Sequence, residues 1–466
     1  TSRGPKLCMN IAIITGELSG DLIGAALARE IHALNPNAQL WGLGSEAMRT
    51  EGVEIVADSA EWGAISISEA LRKAPGMLIG VVPVVKRALS SRRPDAVVLV
   101  DFGAFNIRVA RYCKSLGLRV CYYFPPGAWR QTGPVGKDLA SITDVVATPF
   151  HWSEKRLRAA GVKAHHVGHP LLERVRPALS RRQFAEQFGM DAEGTIVGLL
   201  PGSRRHEVVH LMPTLIDAAR LIHQRIPDAQ FVVGVASSFS LEMMAGFLKN
   251  HSDLLDRLTD IWHDFAEEAG TRVLPVARSA VGALAPVRHP ALATTAGVVV
   301  RQEDLGSAQK SDRRRLTGEQ PPIVLARGLT YDVMAHSDVL LVCSGTATLE
   351  AAILKAPMVI VYRGSRIMEV EYRLRGLHRS IGHIGLPNIL AGRRIVPELI
   401  QEAASPEAIS EHAILLLTDP DARSKARAAL AEVGACLGEP GASRRTAQIV
   451  LELATGKQSA RAEESS

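Results

Sequence analysis

An α/β protein of two doubly wound, Rossmann-like domains facing a cleft is what this sequence predicts, and three observations carry the prediction. Short, fully apolar runs alternate with amphipathic helical stretches, the mark of parallel strands covered on both faces. The alternation stops at a polar bridge near 176–194 and then starts afresh. The 466 residues, 47% hydrophobic and 22% charged, suffice for two substantial cores in a globular protein.

The elements follow in order. Residues 10–15 read as a strand, 16–20 as a loop and 21–34 as a helix, with further strands at 96–101, 118–124, 144–148 and 163–167. After the bridge, strands are expected at 195–200, 230–235, 339–342 and 358–362. The first domain should span 9–185 and the second 186–425. Residues 271–325, rich in Ala, Val, Pro, Arg and Ser and carrying the run Lys310-Ser-Asp-Arg-Arg-Arg315, read as an insertion, partly disordered. Helices are expected at 406–417, 421–433 and 444–453, so that 426–455 forms a C-terminal helical segment before a disordered polar tail, 456–466.

Composition excludes several classes. Five scattered cysteines, odd in number and without C-x-x-C spacing, do not make a disulfide framework or a zinc site and favour a reducing compartment. No run of about 18 apolar residues offers a membrane span. The first eight residues are too short and polar for a signal peptide, with Met9 expected as the natural start. The formal charge of +6 and pI near 9.1 suit an anionic partner. No nucleic-acid motif accompanies them, so nucleic acid is not the expected partner. The stretch 71–89, apolar, interrupted by Pro75 and Pro83 and flanked by Lys73, Lys86, Arg87, Arg92 and Arg93, could sink one face into an anionic bilayer surface or could pack in the core.

The most informative segment is Val339-Leu-Leu-Val-Cys-Ser-Gly-Thr-Ala-Thr-Leu-Glu-Ala-Ala352. A buried strand breaks at Ser344-Gly345-Thr346 and a helix begins at once, so unpaired amides and the positive end of the helix dipole offer a seat for phosphate. Glu350, within the first two turns, could accept hydrogen bonds from ribose hydroxyls. Leu199-Leu-Pro-Gly-Ser-Arg-Arg-His-Glu207 repeats the plan: Gly202 and Ser203 make the turn, Arg204 could grip a pyrophosphate bidentately, and Glu207 lies in the new helix. Asn388 and Arg393, in Leu386-Pro-Asn-Ile-Leu-Ala-Gly-Arg393, suit a nucleobase or ribose edge and a phosphate; a plain turn is the alternative.

In the first half, Asp101 ends a buried strand and is placed to deprotonate an attacking hydroxyl, the alternative being a structural aspartate. The loop Gly16-Glu-Leu-Ser-Gly-Asp21 lacks dinucleotide spacing and carries two carboxylates that would repel a diphosphate. Glu17, Ser19 and Asp21 are instead candidates for sugar-hydroxyl contact, or Ser19 or Asp21 caps the helix. Asn106 and His169, the latter in Gly168-His-Pro170, are further acceptor-side candidates; His169 is a rival base or a packing histidine. Asp419-Pro-Asp421 reads as turn plus cap. No other His/Asp/Glu cluster has metal-ligand spacing, so arginine and helix N-termini would neutralise a leaving diphosphate in place of Mg²⁺.

The motifs, taken in order, resemble the lipid-A-disaccharide synthase family. They are GELSGD (16–21), GLGSEAMRTEGVE (42–54), DFGAFN (101–106), YYFPPGAWRQ (122–131), GHP (168–170), LLPGSRRHEV (199–208), SGTATLEAA (344–352), PMVIVYR (357–363) and LPNILAGR (386–393). The resemblance implies a GT-B architecture with an acceptor-binding first domain and a UDP-sugar-binding second one. The implied reaction moves the sugar of UDP-2,3-diacylglucosamine to the 6-hydroxyl of 2,3-diacylglucosamine 1-phosphate, giving the β-1,6 disaccharide 1-phosphate and UDP. It is inverting and needs no metal or other cofactor. Asp101 falls on the family's general base, Arg204 on a functionally important arginine, and Ser344–Thr346, Glu350 and Asn388 on the UDP lobe. The resemblance further implies work at the cytoplasmic face of the bacterial inner membrane, and a homodimer, since some members exchange C-terminal segments. Familiar members carry Asp-x-Pro-Asp-Phe-Asn; here Phe102-Gly103-Ala104 keep the first aspartate and lose the proline and the second. A related transferase with another acceptor, or a UDP-sugar epimerase, is the alternative on the same fold.

Overall fold

A computed structural model describes residues 9–16, 18–59, 80–131, 138–236, 239–240, 243–244, 286–287, 297–300, 323–364 and 383–456. The chain divides into two compact units, one of Thr1–Arg174 with Ala435–Ser466, the other of Val175–Gly434.

The first unit is built on seven strands: β1 (Asn10–Ile14), β2 (Gln39–Gly44), β3 (Glu54–Asp58), β4 (Ala96–Val100), β5 (Val120–Tyr123), β6 (Val145–Thr148) and β7 (Ala164–His166). They lie in the order β3-β2-β1-β4-β5-β6-β7, and all their pairings are parallel. Two-residue periodicity sends Ile11, Ile13, Val98, Val100, Cys121 and Tyr123 to one face, against helices Leu18–Leu34 and Ala442–Thr455. Ala12, Ile14, Val97, Leu99, Val120 and Tyr122 go to the other, against helices Val82–Arg92 and Gly103–Ser115. Both faces are dry, as unbroken apolar strands require.

Of the expected C-terminal segment 426–455, helix Pro420–Ala435 falls in the second unit but for its last residue, and helix Ala442–Thr455 falls in the first. The latter buries Ala447, Val450 and Ala454 in the first core. The Glu173 carboxylate accepts from the amides of Gly441 and Ser443 at its start, and Arg119 donates to the carbonyls of Leu453 and Ala454 at its end. Arg174 closes the leading part of the first unit, ahead of the expected 185/186 boundary. Helix Arg181–Phe188 is tied into the second unit because Arg181 donates to the carbonyls of His336 and Gly194 and to Asp338.

The second unit holds β8 (Ile196–Leu200), β9 (Gln230–Val235), β10 (Pro286–Val287), β11 (Gly297–Val300), β12 (Ile323–Arg327), β13 (Val339–Cys343), β14 (Met358–Tyr362) and β15 (Glu398–Ile400). Their order is β10-β11-β12-β9-β8-β13-β14-β15, antiparallel at the β10–β11–β12 edge and parallel elsewhere. Within the expected insertion 271–325, residues 286–287 and 297–300 and the start of β12 extend this sheet; the others lie outside the described residues. The expected tail beyond 456 lies outside them too.

Among the described residues no helix is long and apolar enough to cross a membrane. Of the stretch 71–89, residues 71–79 lie outside the described residues. The rest begins helix Val82–Arg92, with Pro83 in its first turn, where a missing N–H costs nothing. Val85 and Leu89 pack in the core while Val84 stays 42% exposed. Lys86 lies over the Tyr112 ring, and Arg92 lies over Trp41 and pairs with Glu54, so these two basic groups are engaged by the protein itself.

Candidate active site

In each sheet the strand order reverses between two neighbours, and ligands of doubly wound sheets bind outside the carboxyl ends at such a switch point. In the first unit the switch lies between β1 and β4, and in the second between β8 and β13. The candidate motifs follow those four strands: Gly16–Asp21 after β1, Asp101–Asn106 after β4, Gly202–Glu207 after β8 and Ser344–Glu350 after β13.

At the first switch point the two loops interlock. A Cβ on Gly16 would fall 2.1 Å from the Phe102 ring, so only glycine lets that ring lie against the β1 loop. Asp101 and Phe102 both have φ of +47°, two successive non-glycine residues in the left-handed region, each costing about 1–3 kcal/mol. The turn is held from beneath. The Asp101 N–H donates to Tyr123 O at 2.9 Å, while its carbonyl accepts from Asn106 Nδ2 at 2.9 Å and from the Tyr122 hydroxyl at 2.8 Å. Asp101 is an exposed residue. Crowding by protein strips water from the carboxyl and lifts its pKa above the usual carboxylate range, with the Phe102 N–H pulling the other way. A carboxylate so placed is a stronger base than a free aspartate and remains accessible.

The other acceptor-side candidates fare differently. Ser19 is exposed at the start of helix Leu18–Leu34, and Glu17 lies outside the described residues. Asp21, 1% exposed, accepts from the amides of Ser45, Ala47 and Met48. It caps helix Glu46–Thr50, and no oxygen faces a sugar. Asn106 is wholly buried and its amide nitrogen is spent on the carbonyls of Val100 and Asp101, so it positions the turn instead of meeting the acceptor. His169, 7% exposed beside Phe124 and Phe150, takes the Leu171 N–H on Nδ1. Burial, helped by Arg174, lowers its pKa to about 3, so it is a neutral packing and helix-start residue, too weak a base to compete with Asp101.

At the second switch point the two turns differ. After β8, Gly202 has φ of +117°, and a Cβ there would meet Glu207 Oε2 at 2.4 Å. That oxygen accepts from the amides of Ser203 and Arg204 at 3.1 and 3.2 Å, and Oε1 lies 3.4 Å from the Arg204 guanidinium. Glu207 is thus a built-in anion at the start of helix Arg205–Arg225, holding Arg204 and leaving no seat for a second anion on those amides. The Arg204 side chain stays 38% exposed. After β13, Gly345 is exposed at φ 160°, an extended conformation, with nothing among the described residues within 4 Å of a Cβ built on it. Thr346 is exposed too, and the Thr348 hydroxyl donates to Gly345 O. Among the described residues no acceptor meets the amides of Gly345 and Thr346. Ser344 is fixed through its hydroxyl to Ile384 O. β13 lies between β8 and β14; burial raises the pKa values of Cys343 and Tyr362 at the ends of β13 and β14, and the charges of Glu207 and Arg204 act on both.

Asn388 and Arg393 are corrected. Asn388, 0% exposed, accepts from the amides of Ile395 and Val396 and donates to Val396 O, a loop staple with nothing left for a nucleobase. Arg393 points to solvent and pairs with Glu432 at 3.0 Å. As expected, Asp419 caps, accepting from the amides of Asp421 and Ala422.

A model of the lipid-A-disaccharide synthetase family matches residues 11–260 and 306–453. The chain is 35% identical over 445 residues to a lipid-A-disaccharide synthase from Geobacter metallireducens, covering 95% of this chain and 97% of that one. It is 34% identical to the Geobacter sulfurreducens protein of the same name, over 96% and 98%. The chain belongs to the lipid-A-disaccharide synthetase family. It is therefore a glycosyltransferase, and the family match skips 261–305, most of whose length falls inside the expected insertion. Among solved structures, the chain resembles UDP-GlcNAc 2-epimerase from Neisseria meningitidis bound to UDP-GlcNAc (TM-score 0.52, 12% identity, 95% and 100% covered). It also resembles the S. aureus MnaA–UDP co-structure (0.53, 11%, 97% and 98%). Likeness at that identity establishes the fold and no more.

Three residues escaped the sequence reading. The Tyr331 hydroxyl donates to Glu350 at 3.1 Å. Glu398, buried on β15, accepts from the amides of Ile384 and Gly385 and so fixes the carbonyl that holds Ser344. Tyr122 lay in a recognised motif as an aromatic of no assigned role. Only the fold brings each to its partner.

Proposed function

We propose that this family member transfers 2,3-diacylglucosamine from its UDP-linked form to the 6-hydroxyl of 2,3-diacylglucosamine 1-phosphate, with Asp101 as general base and the second unit as UDP holder. The observation that carries the reading is the pair of turns at the β8/β13 switch point: one offers a held, half-exposed guanidinium and the other two exposed amides at a helix start. Arg204 takes one side of the diphosphate and the amides of Gly345 and Thr346 the other, and both interactions strengthen as charge collects on the departing UDP. Glu350, oriented by Tyr331, accepts the ribose hydroxyls. Glu207 positions Arg204 and touches no substrate.

Asp101 removes the proton of the acceptor 6-hydroxyl as its oxygen attacks the anomeric carbon. The bond to UDP breaks on the opposite face, and the anomeric centre inverts. The raised pKa of Asp101 strengthens it as a base. Ser19, exposed beside the same loop, is the acceptor contact retained from the β1 motif. Diacylated donor and acceptor partition into a bilayer, so this reading places the enzyme as a peripheral protein at the inner face of the inner membrane.

Mass spectrometry of the products from defined donor and acceptor tests the reaction. Asp101→Asn should keep UDP affinity and lower turnover at least about a hundredfold. Near-wild-type turnover removes Asp101 from the role, and a product formed without acceptor sinks the transfer itself.

A further inference from the structure

Asp101 and Phe102 are consecutive left-handed residues, a backbone that L-amino acids avoid unless the surroundings enforce it. The enforcing contacts meet on one atom, the Asp101 carbonyl oxygen, which takes the Asn106 amide at 2.9 Å and the Tyr122 hydroxyl at 2.8 Å. Both donors belong to side chains of 0% exposure. Asn106 also reaches Val100 O at 3.0 Å, so it grips the last strand residue and the first turn residue together. That grip has a cost: Asn106 Oδ1 is buried and without a hydrogen-bond partner among the described residues. An unmet buried oxygen costs more than an apolar side chain would, so stability alone does not explain an asparagine there. The Tyr122 ring packs in the core, and its hydroxyl emerges at the carboxyl end of β5, beside β4.

We infer that Asn106 and Tyr122 are positioning residues that clamp the strained Asp101–Phe102 turn and so aim the Asp101 carboxyl at the acceptor hydroxyl. The inference rests on the proposed role of Asp101 and goes beyond it, since neither residue touches substrate. Left to itself the turn would relax toward ordinary backbone and swing the carboxyl away, because the φ of its own residue sets its direction. The Phe102 ring against Gly16 then wedges the turn from the opposite side.

The test uses the full-length enzyme and four variants: Tyr122→Phe, Asn106→Ala, Asp101→Asn, and Val98→Ala as a core control on the same strand. Tyr122→Phe removes one hydroxyl, keeps the buried ring and should fold. Its kcat should fall about three- to tenfold, with acceptor KM and UDP affinity unchanged. The acid limb of its pH–rate profile should move, because Asp101 changes surroundings; among the described residues Tyr122, whose hydroxyl sits on the Asp101 carbonyl at 2.8 Å, is a titratable neighbour of that carboxyl. Asn106→Ala should fall further, about ten- to a hundredfold. Val98→Ala should lose thermal stability with kcat and the acid limb near wild type. A Tyr122→Phe enzyme with unchanged kcat and acid limb overturns the clamp, as does a Val98→Ala enzyme that loses kcat equally for the same drop in Tm. If Asp101→Asn is fully active, the base assignment itself fails and the clamp falls with it. If Asp101→Asn is dead while Tyr122→Phe is untouched, the clamp fails alone.

Discussion

Gly345→Ala separates the protein's needs from the ligand's. The residue lies at φ 160°, which alanine adopts freely, and nothing among the described residues lies within 4 Å of the added Cβ. Alanine is a poorer N-cap than glycine by some tenths of a kcal/mol, and it lowers the entropy of the unfolded chain by about as much. Folding stability should therefore change by about 0.5 kcal/mol at most, a Tm shift of roughly 1–2 °C for a unit of this size. The bound state differs. On the proposed reading a phosphate oxygen approaches the Gly345 and Thr346 amides to about 2.9 Å, and a methyl on the Cα between them crowds that approach. Losing one charge-assisted hydrogen bond costs about 1.5–3 kcal/mol, or roughly ten- to a hundredfold in the Kd for UDP. Titration calorimetry with UDP and with uridine reads this directly: UDP should weaken by that factor while uridine binds as before. An unchanged UDP affinity in the stable variant would place the diphosphate elsewhere and remove the turn after β13 from the site.

Three further outcomes follow from buried contacts and titration. His169, with a folded pKa of about 3 against an ordinary 6.5, is neutral in the native state while the unfolded chain takes up a proton as pH falls through 6.5. Stability is then complete above pH 6.5 and falls by about 1.4 kcal/mol per unit down toward pH 3; urea unfolding against pH should flatten in His169→Asn, and an equally steep wild-type and variant slope would assign the acid loss to other groups. Asn388→Ala breaks three hydrogen bonds, two of them buried, and should cost about 2–4 kcal/mol, with UDP affinity of the folded protein within twofold; weakened UDP binding at unchanged Tm would return Asn388 to the ligand. Arg393→Ala loses one exposed ion pair, so both Tm and UDP affinity should hold, and a tenfold weaker UDP would show a phosphate contact.

Strands that are apolar on both faces were legible because burial on two sides leaves no polar position: β1, β4, β8 and β13 announce themselves. Those missed lie off the sheet centre or break the pattern. In β2 (Gln39-Leu-Trp-Gly-Leu-Gly44) two glycines dilute the signal, and β3 begins and ends on carboxylates, Glu54 and Asp58. β12 was hidden by the neighbouring insertion, and β15 is three residues long. For the proposed site, position at a strand's carboxyl end is the signal that points to Asp101 and Ser344–Thr346. Residue type misled at Asp21, Asn106, Glu207 and Asn388. A short polar side chain in a loop motif gives one signal whether it holds a ligand or the loop's own backbone, and only burial tells the two apart. All four are 8% exposed or less.

That distinction explains why two similar turns meet at one switch point. Each strand-to-helix junction leaves amides that want an anion. After β8 the chain supplies one: Glu207 sits on the amides of Ser203 and Arg204, so that helix start is already neutralised, and what the turn still offers is the arginine that Glu207 holds. After β13 no carboxylate among the described residues meets the amides of Gly345 and Thr346, both residues are exposed, and Thr348 turns its hydroxyl to Gly345 O as a donor. A diphosphate needs both, a full positive charge and directed N–H groups, and a carboxylate on each turn would repel it. Replacing Glu207 by glutamine tests the division: one oxygen still accepts from the amides, while the arginine loses its ionic hold. UDP affinity should then change through Arg204 alone and vanish as an effect in an Arg204→Ala background. If instead the two substitutions weaken UDP binding additively, Glu207 meets the ligand on its own account and the two turns do not divide the work this way.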